Sequence, residues 1–159
     1  MTIEIRFAER SDVPLIVHLI KSLAVYEKLE SMVVATEEKV DRAMFGERPY
    51  AETIIAEVDG KPAGFALFFH NFSTFLAQPG IYLEDLFVEP EHRGSGIGRA
   101  LLERLAQIAV ERDCGRLEWA VLDWNKDAIG FYERLGATPN DEWTVYRLMG
   151  EALRSLAGK

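Results

Sequence analysis

An apolar run that ends in a glycine-rich turn and re-enters as a helix constrains this chain more than any other feature. The run is Ile81-Tyr82-Leu83-Glu84-Asp85-Leu86-Phe87-Val88 and the turn is Arg93-Gly94-Ser95-Gly96-Ile97-Gly98. A helical pattern then carries on from Arg99 to Asp113. The start of a helix leaves backbone N–H groups without intrahelical acceptors, and the helix dipole adds partial positive charge there. Glycines let a phosphate approach the backbone, and Arg93 supplies a fixed cation with a forked donor geometry. Together these features point to a phosphorylated cofactor; a loop that merely reverses direction is the plainer reading.

Spacing decides which cofactor. A dinucleotide fingerprint needs Gly-x-Gly-x-x-Gly on an early strand-to-helix turn, with an acid about 20 residues on. Here the glycines fall at 94, 96 and 98, late in the chain. A nucleoside-triphosphate loop ends in Gly-Lys-Ser/Thr, whereas Gly98 is followed by Arg99-Ala100. Both classes are excluded.

At 159 residues the chain reads as one domain over 1–159, long enough to bury a core. The formal net charge of −8 argues against a nucleic-acid partner, which would need basic surface, and suits a cationic substrate. No apolar run approaches the ~20 residues of a membrane span. Met1-Thr2-Ile3-Glu4-Ile5 lacks the basic and apolar parts of a signal peptide. The lone Cys114 rules out an internal disulfide and fits a reducing, cytoplasmic setting, with a buried helix-end thiol as its expected role. His18, His70 and His92 with no clustered thiols give no expectation of a metal site.

Periodicity predicts a strand at 3–7 and a helix capped by Ser11 or Asp12 that reaches Tyr26-Glu27. A second helix runs from Thr36 to Phe45 and is stopped by Gly46. Residues 53–58 and 62–69 form a hairpin around Asp59-Gly60, its second strand apolar on both faces as in a sheet interior. Strand 81–88, helix 96–113, strand 116–122, helix 127–135, strand 143–149 and a short helix at 151–157 complete the order. The class is α/β of mixed type: a central, mostly antiparallel sheet flanked by helices.

Arg-x-x-Gly-x-Gly opening an amphipathic helix resembles the pyrophosphate loop of the GCN5-related N-acetyltransferase (GNAT) superfamily, users of acetyl-coenzyme A. Leu23-Ala24-Val25-Tyr26-Glu27, Tyr82-Leu83-Glu84-Asp85, Trp124-Asn125 and Phe131-Tyr132-Glu133-Arg134-Leu135-Gly136-Ala137 are similar to the spermidine/spermine branch and its thialysine-acetylating relatives. The resemblance spans nearly the whole chain. It implies a GNAT-type acyl-CoA N-acyltransferase fold, an acetyl-coenzyme A co-substrate, a small amine acceptor and a homodimer. The tighter turn Val58-Asp59-Gly60-Lys61 and a shorter segment before Trp143 depart from the animal enzymes near the acceptor side.

Acetyl transfer to an amine needs a proton acceptor at the nitrogen, because a lysine-like amine has a pKa of about 10.4. Glu84 is the candidate: partial burial in its apolar strand would raise its pKa, while a structural pair with an arginine is the alternative. Alternation sets Asp85 on the opposite face, where hydrogen bonding to backbone or a helix end is its expected role. The resemblance makes Tyr132 the acid for the coenzyme A sulfur, and a phenol of pKa about 10 holds the needed proton. It also assigns the cofactor to Arg93, Gly94, Ser95, Gly96, Ile97, Gly98, Arg99 and Asn125; Asn125 would equally cap the next helix. Backbone amides at Leu86, Phe87 and Val88 are candidates for the carbonyl oxygen, since Pro90 ends pairing there. Tyr26, Glu27, Glu84, Glu118, Trp119, Ala120 and Glu142 are the acceptor-side candidates; carboxylates beside aromatic faces suit an ammonium, and solvated surface acids are the plainer reading.

The leading expectation is direct acetyl transfer to a polyamine, diamine or lysine-like amine, with an amino acid, antibiotic or protein amine as alternative acceptor. A coenzyme A-binding regulatory module without turnover is the alternative of another class. Cys114 lacks a recognisable base partner, which speaks against an acyl-enzyme route. Five phenylalanines between Phe65 and Phe75 serve either dimer contact or the core.

Overall fold

The computed structural model describes residues 1–159. Two compact units make up the chain, Met1–Ala120 and Val121–Lys159.

The first unit is built on a five-stranded sheet in sequential order: β1 (Ile3–Phe7), β2 (Glu52–Val58), β3 (Lys61–Ser73), β4 (Gln78–Val88) and β5 (Leu117–Trp119). The first three pairings are antiparallel and β4–β5 is parallel. That parallel step needs a crossover, supplied by α3 (Ile97–Glu111). Between β1 and β2 lie α1 (Val13–Tyr26) and α2 (Glu37–Phe45).

Burial explains the layering. Ile54, Ile55 and Ala56 are all fully buried, as are Phe65, Ala66 and Phe68. Successive strand residues point to opposite faces, so both faces of β2 and β3 are covered. On one face Leu19 and Leu23 of α1 pack with Phe65, Leu67 and Phe87. Arg112, just past α3, approaches the Phe68 ring at 5.9 Å on the other. Along α3, Ile97, Leu101, Leu105 and Ile108 recur at helical spacing and are all buried.

Local signals mostly act as the sequence predicts. The Thr36 hydroxyl accepts the Lys39 amide at 3.2 Å and caps α2. Asp12 makes no side-chain cap on α1. Instead its carboxylate accepts both terminal nitrogens of Arg6, at 2.8 and 2.9 Å, with Arg6 Nε donating to Glu57 at 2.8 Å. The β3–β4 hairpin is longer than periodicity suggested, because its strands run on to Ser73 and back from Gln78 beyond the apolar stretch.

The second unit holds α4 (Lys126–Arg134) and α5 (Gly150–Leu156). The expected last strand at 143–149 is not formed: the segment has no strand pairing, and Trp143 and Tyr146 are 76% and 94% exposed. Alternation states a preference for two faces but supplies no neighbouring ladder to satisfy the amides. Likewise β5 stops at Trp119 rather than Leu122.

Candidate active site

The donor side forms where β4 gives way to α3. The β4–β5 ladder covers only Ile81–Leu83, so residues 84–88 have a strand partner on the β3 side alone. A short turn, Pro90–His92, leads into the glycine segment. Gly94 and Gly96 have φ of 80° and 89°, and a Cβ on either would meet nothing within 4 Å. Only glycine adopts that conformation cheaply, and the missing side chains leave an open concavity. Gly96 is the N-cap of α3 and offers no capping side chain, so the first-turn amides have no side-chain cap. Ser95 Oγ donates to the His92 carbonyl, bracing the turn. The segment is a main-chain cradle suited to a diphosphate.

Arg93 has defined partners within the fold. Its Nε donates to the Val88 carbonyl at 2.9 Å. Its guanidinium carbon lies 4.6 Å from the centre of the Tyr26 ring and 5.4 Å from that of Phe87.

The carboxylates also rearrange. Leu67 pairs with Asp85 and Phe68 with Leu83, which leaves Glu84 as an extra residue in a β-bulge. Glu84 is consequently exposed, contrary to the partial burial expected of it. Asp85 takes the half-buried place, opposite Leu67 on the face that packs against α1. Burial, then the charges of Glu84 and Glu27, push its carboxyl up to about 6. Glu27 caps the C-terminal end of α1, and burial raises its carboxyl too. Tyr26, Glu27, Asp85, Phe87 and Arg93 are therefore gathered by contacts and fields at the meeting of α1 and β4. Strand alternation alone missed Asp85, because a bulge changes the parity of faces without leaving a sequence mark; an aspartate between Leu83 and Leu86 was the available signal.

The other candidates have defined settings. Glu118 accepts Asn71 Nδ2 at 3.0 Å and Arg116 Nε at 2.8 Å. Trp119 pairs with Leu83 across the ladder, and Ala120 is exposed just beyond it. Within the second unit, Asn125 is buried and its Oδ1 accepts the Ala128 amide at 3.3 Å, capping α4. Tyr132 lies on α4 with its ring at a tilted edge contact to Phe131, 5.6 Å between centres. Glu142 is exposed. Cys114 is half-buried rather than buried, and desolvation raises its thiol pKa, away from thiolate reactivity.

A mixed sheet, a glycine cradle at the α3 start and a stretch of β4 with no partner on its β5 side define an α/β domain with a built anion site. The model of the acetyltransferase (GNAT) family matches residues 19–137, and the chain belongs to that family; it is an N-acetyltransferase. It is 40% identical to a thialysine N-epsilon-acetyltransferase of Bos taurus, over 98% of this chain and 97% of that protein. It is 35% identical to the L-ornithine N5-acetyltransferase NATA1 of Arabidopsis thaliana, over 96% of this chain and 86% of that protein. Among solved structures, an integron cassette protein from the mobile metagenome of V. cholerae superposes with a TM-score of 0.83 at 30% identity, covering 100% of this chain and 99% of that one.

Proposed function

We propose that this enzyme moves an acetyl group from acetyl-coenzyme A to a primary amine of a small cationic molecule, by direct transfer and with 1–159 acting as one functional domain. A lysine-like side chain is the favoured acceptor, with diamines and polyamines in the same class. The observation that carries this reading is the uncapped α3 start with its two left-handed glycines beside the unpaired end of β4. Residues 94–99 would hold the diphosphate through main-chain amides, and the amides of Leu86 to Val88 would orient the thioester and meet its carbonyl oxygen. Acetyl-coenzyme A supplies the activated acyl group.

The carboxylates at the α1–β4 meeting favour an ammonium and receive its proton. Glu84, lifted out of the ladder by the bulge, is the proton acceptor, and Asp85 and Glu27 supply the surrounding negative field. Tyr132 is assigned the proton for the departing sulfur, and Asn125 the cofactor arm. Trp119, Ala120, Glu118 and Glu142 are assigned to the acceptor side. Names of the relatives support the acceptor class: thialysine and ornithine both carry a cationic side-chain amine beside an α-amino acid group. A homodimer belongs to the same proposal, supported by Phe72, Phe75 and Leu76 exposed at the β3–β4 tip. So does a cytoplasmic setting, supported by a single half-buried thiol; no helix is long and apolar enough to cross a membrane.

The test is thiol release from acetyl-coenzyme A against thialysine, ornithine, lysine, diamines, polyamines and an aminoglycoside. Turnover strongest with the lysine-like and diamine members is expected. Silence across all cationic amines would defeat the acceptor class, and no heat on titrating coenzyme A would defeat the donor.

A further inference from the structure

We infer that Arg116 and Glu118 form a subsite for the α-amino acid end of the acceptor, so that the enzyme prefers an amino acid with a terminal side-chain amine over a plain diamine. The inference rests on the proposed function and narrows its acceptor.

Strand alternation places the subsite. Leu67, Phe69 and Asn71 alternate along β3 and share the face that packs against α1. On β4 that face carries Asp85 opposite Leu67, Tyr82 opposite Phe69 and Gly80 opposite Asn71. Glu118 of β5 pairs with Tyr82. Arg116 Nε donates to Glu118 Oε1 at 2.8 Å, and Asn71 Nδ2 donates to the same oxygen at 3.0 Å. Gly80 makes room for both donors. A Cβ there would stand 2.4 Å from Asn71 Oδ1 and 3.1 Å from Arg116 Cγ.

The pair is built but not closed. Both donors fall on Oε1 of Glu118, which leaves Oε2, and Arg116 uses Nε, which leaves its two terminal nitrogens. The two side chains are 40% and 36% exposed, so a ligand can reach them. An α-ammonium fits the remaining carboxylate oxygen, and an α-carboxylate fits the guanidinium fork through two parallel bonds. Asn71 Oδ1 is buried without a hydrogen-bond partner. Turning that amide over would set its oxygen against the Glu118 carboxylate, so holding Glu118 leaves the carbonyl unpaired. An exposed ion pair adds little to stability and a buried orphan carbonyl subtracts from it. Binding accounts for keeping both.

The spacing suits a lysine-like length. From Asp85 to Tyr82 the ladder advances two residues of β3, about 7 Å, and β5 lies about 5 Å to the side. Glu118 therefore stands roughly 8 Å from Asp85 along the sheet. A lysine side chain spans about 6 Å from Cα to its terminal nitrogen, and hydrogen bonds of about 3 Å close the rest. The rings of Phe69 and Tyr82, 5.3 Å between centres, lie between the two ends and suit the methylene stem. A diamine of the same length offers nothing to the Arg116 fork.

The test uses the full chain with matched acceptors: lysine against cadaverine and ornithine against putrescine, each pair differing only in the carboxylate. Nα-acetyl-lysine removes the α-ammonium instead. We expect kcat/KM to favour each amino acid over its diamine at least about tenfold, and lysine over Nα-acetyl-lysine at least about fivefold. Mass spectrometry is expected to find the acetyl group on the side-chain amine. Arg116→Met is expected to bring the amino acid-to-diamine ratio within about twofold of one, mainly through acceptor KM, with Arg116→Lys between it and the wild type. Glu118→Gln is expected to remove the preference for lysine over Nα-acetyl-lysine. A wild-type ratio of one or less overturns the subsite, and that measurement needs no variant to fold. An unchanged ratio in Arg116→Met, or acetylation of the α-amine, overturns it too. Turnover of the diamines alone leaves the proposed function standing and removes only the subsite. Turnover of none of these amines removes both.

Discussion

Tyr132 and Asp85 are the side chains whose roles separate most clearly. If Tyr132 delivers the proton to the departing sulfur, Tyr132→Phe lowers kcat by about 100-fold, the low end for a general acid, with coenzyme A affinity close to wild type. Stopped-flow thiol release checks this, and an unchanged kcat removes the assignment. Asp85 makes a prediction about stability. Its carboxyl titrates at about 6 in the folded chain, against about 3.9 in an unfolded one. Between those values the folded protein keeps a proton that the unfolded chain has released, so stability falls as pH rises from about 4 to about 6 and then levels. Asp85→Asn is expected to flatten that slope and to stabilise the protein at neutral pH by on the order of 2 kcal/mol. Denaturation midpoints at acid and neutral pH read both effects; a variant with the wild-type slope would show that the strain lies elsewhere. Such strain at a carboxylate is what a site that attracts ammonium ions would retain.

At the scale of elements, the turn between β4 and α3 carries the donor assignment. Gly96→Ala meets no neighbouring atom within 4 Å, so its cost to folding is the left-handed backbone alone, about 1–2 kcal/mol. Its methyl group would nonetheless stand in the cradle. Coenzyme A affinity is expected to fall at least about tenfold, more than the loss of stability explains; calorimetry beside thermal unfolding separates the two. Elements with strong local punctuation were legible in the sequence. The Thr36 cap and Gly46 stop delimit α2, and apolar spacing delimits α1 and α3. The segment 143–149 was not, because a strand is a property of two chains of backbone rather than of one.

For the molecule as a whole, a net charge of −8 surrounds a site meant for cations. Raising salt from about 50 to about 300 mM is expected to raise the acceptor KM several-fold, as screening shortens the reach of that field. A salt-independent KM would confine recognition to close contacts. What the sequence determined alone is the local chemistry: a glycine turn at a helix start, and apolar faces at helical and strand spacing. Each follows from steric rules and periodicity acting within a few residues. The tertiary structure decided which carboxylate is half-buried, because the bulge at Glu84 exists only through the pairing of β4 with β3. It also decided what Arg93 touches, because Tyr26 and Phe87 come from elements far apart in the chain and meet only when α1 packs on the sheet.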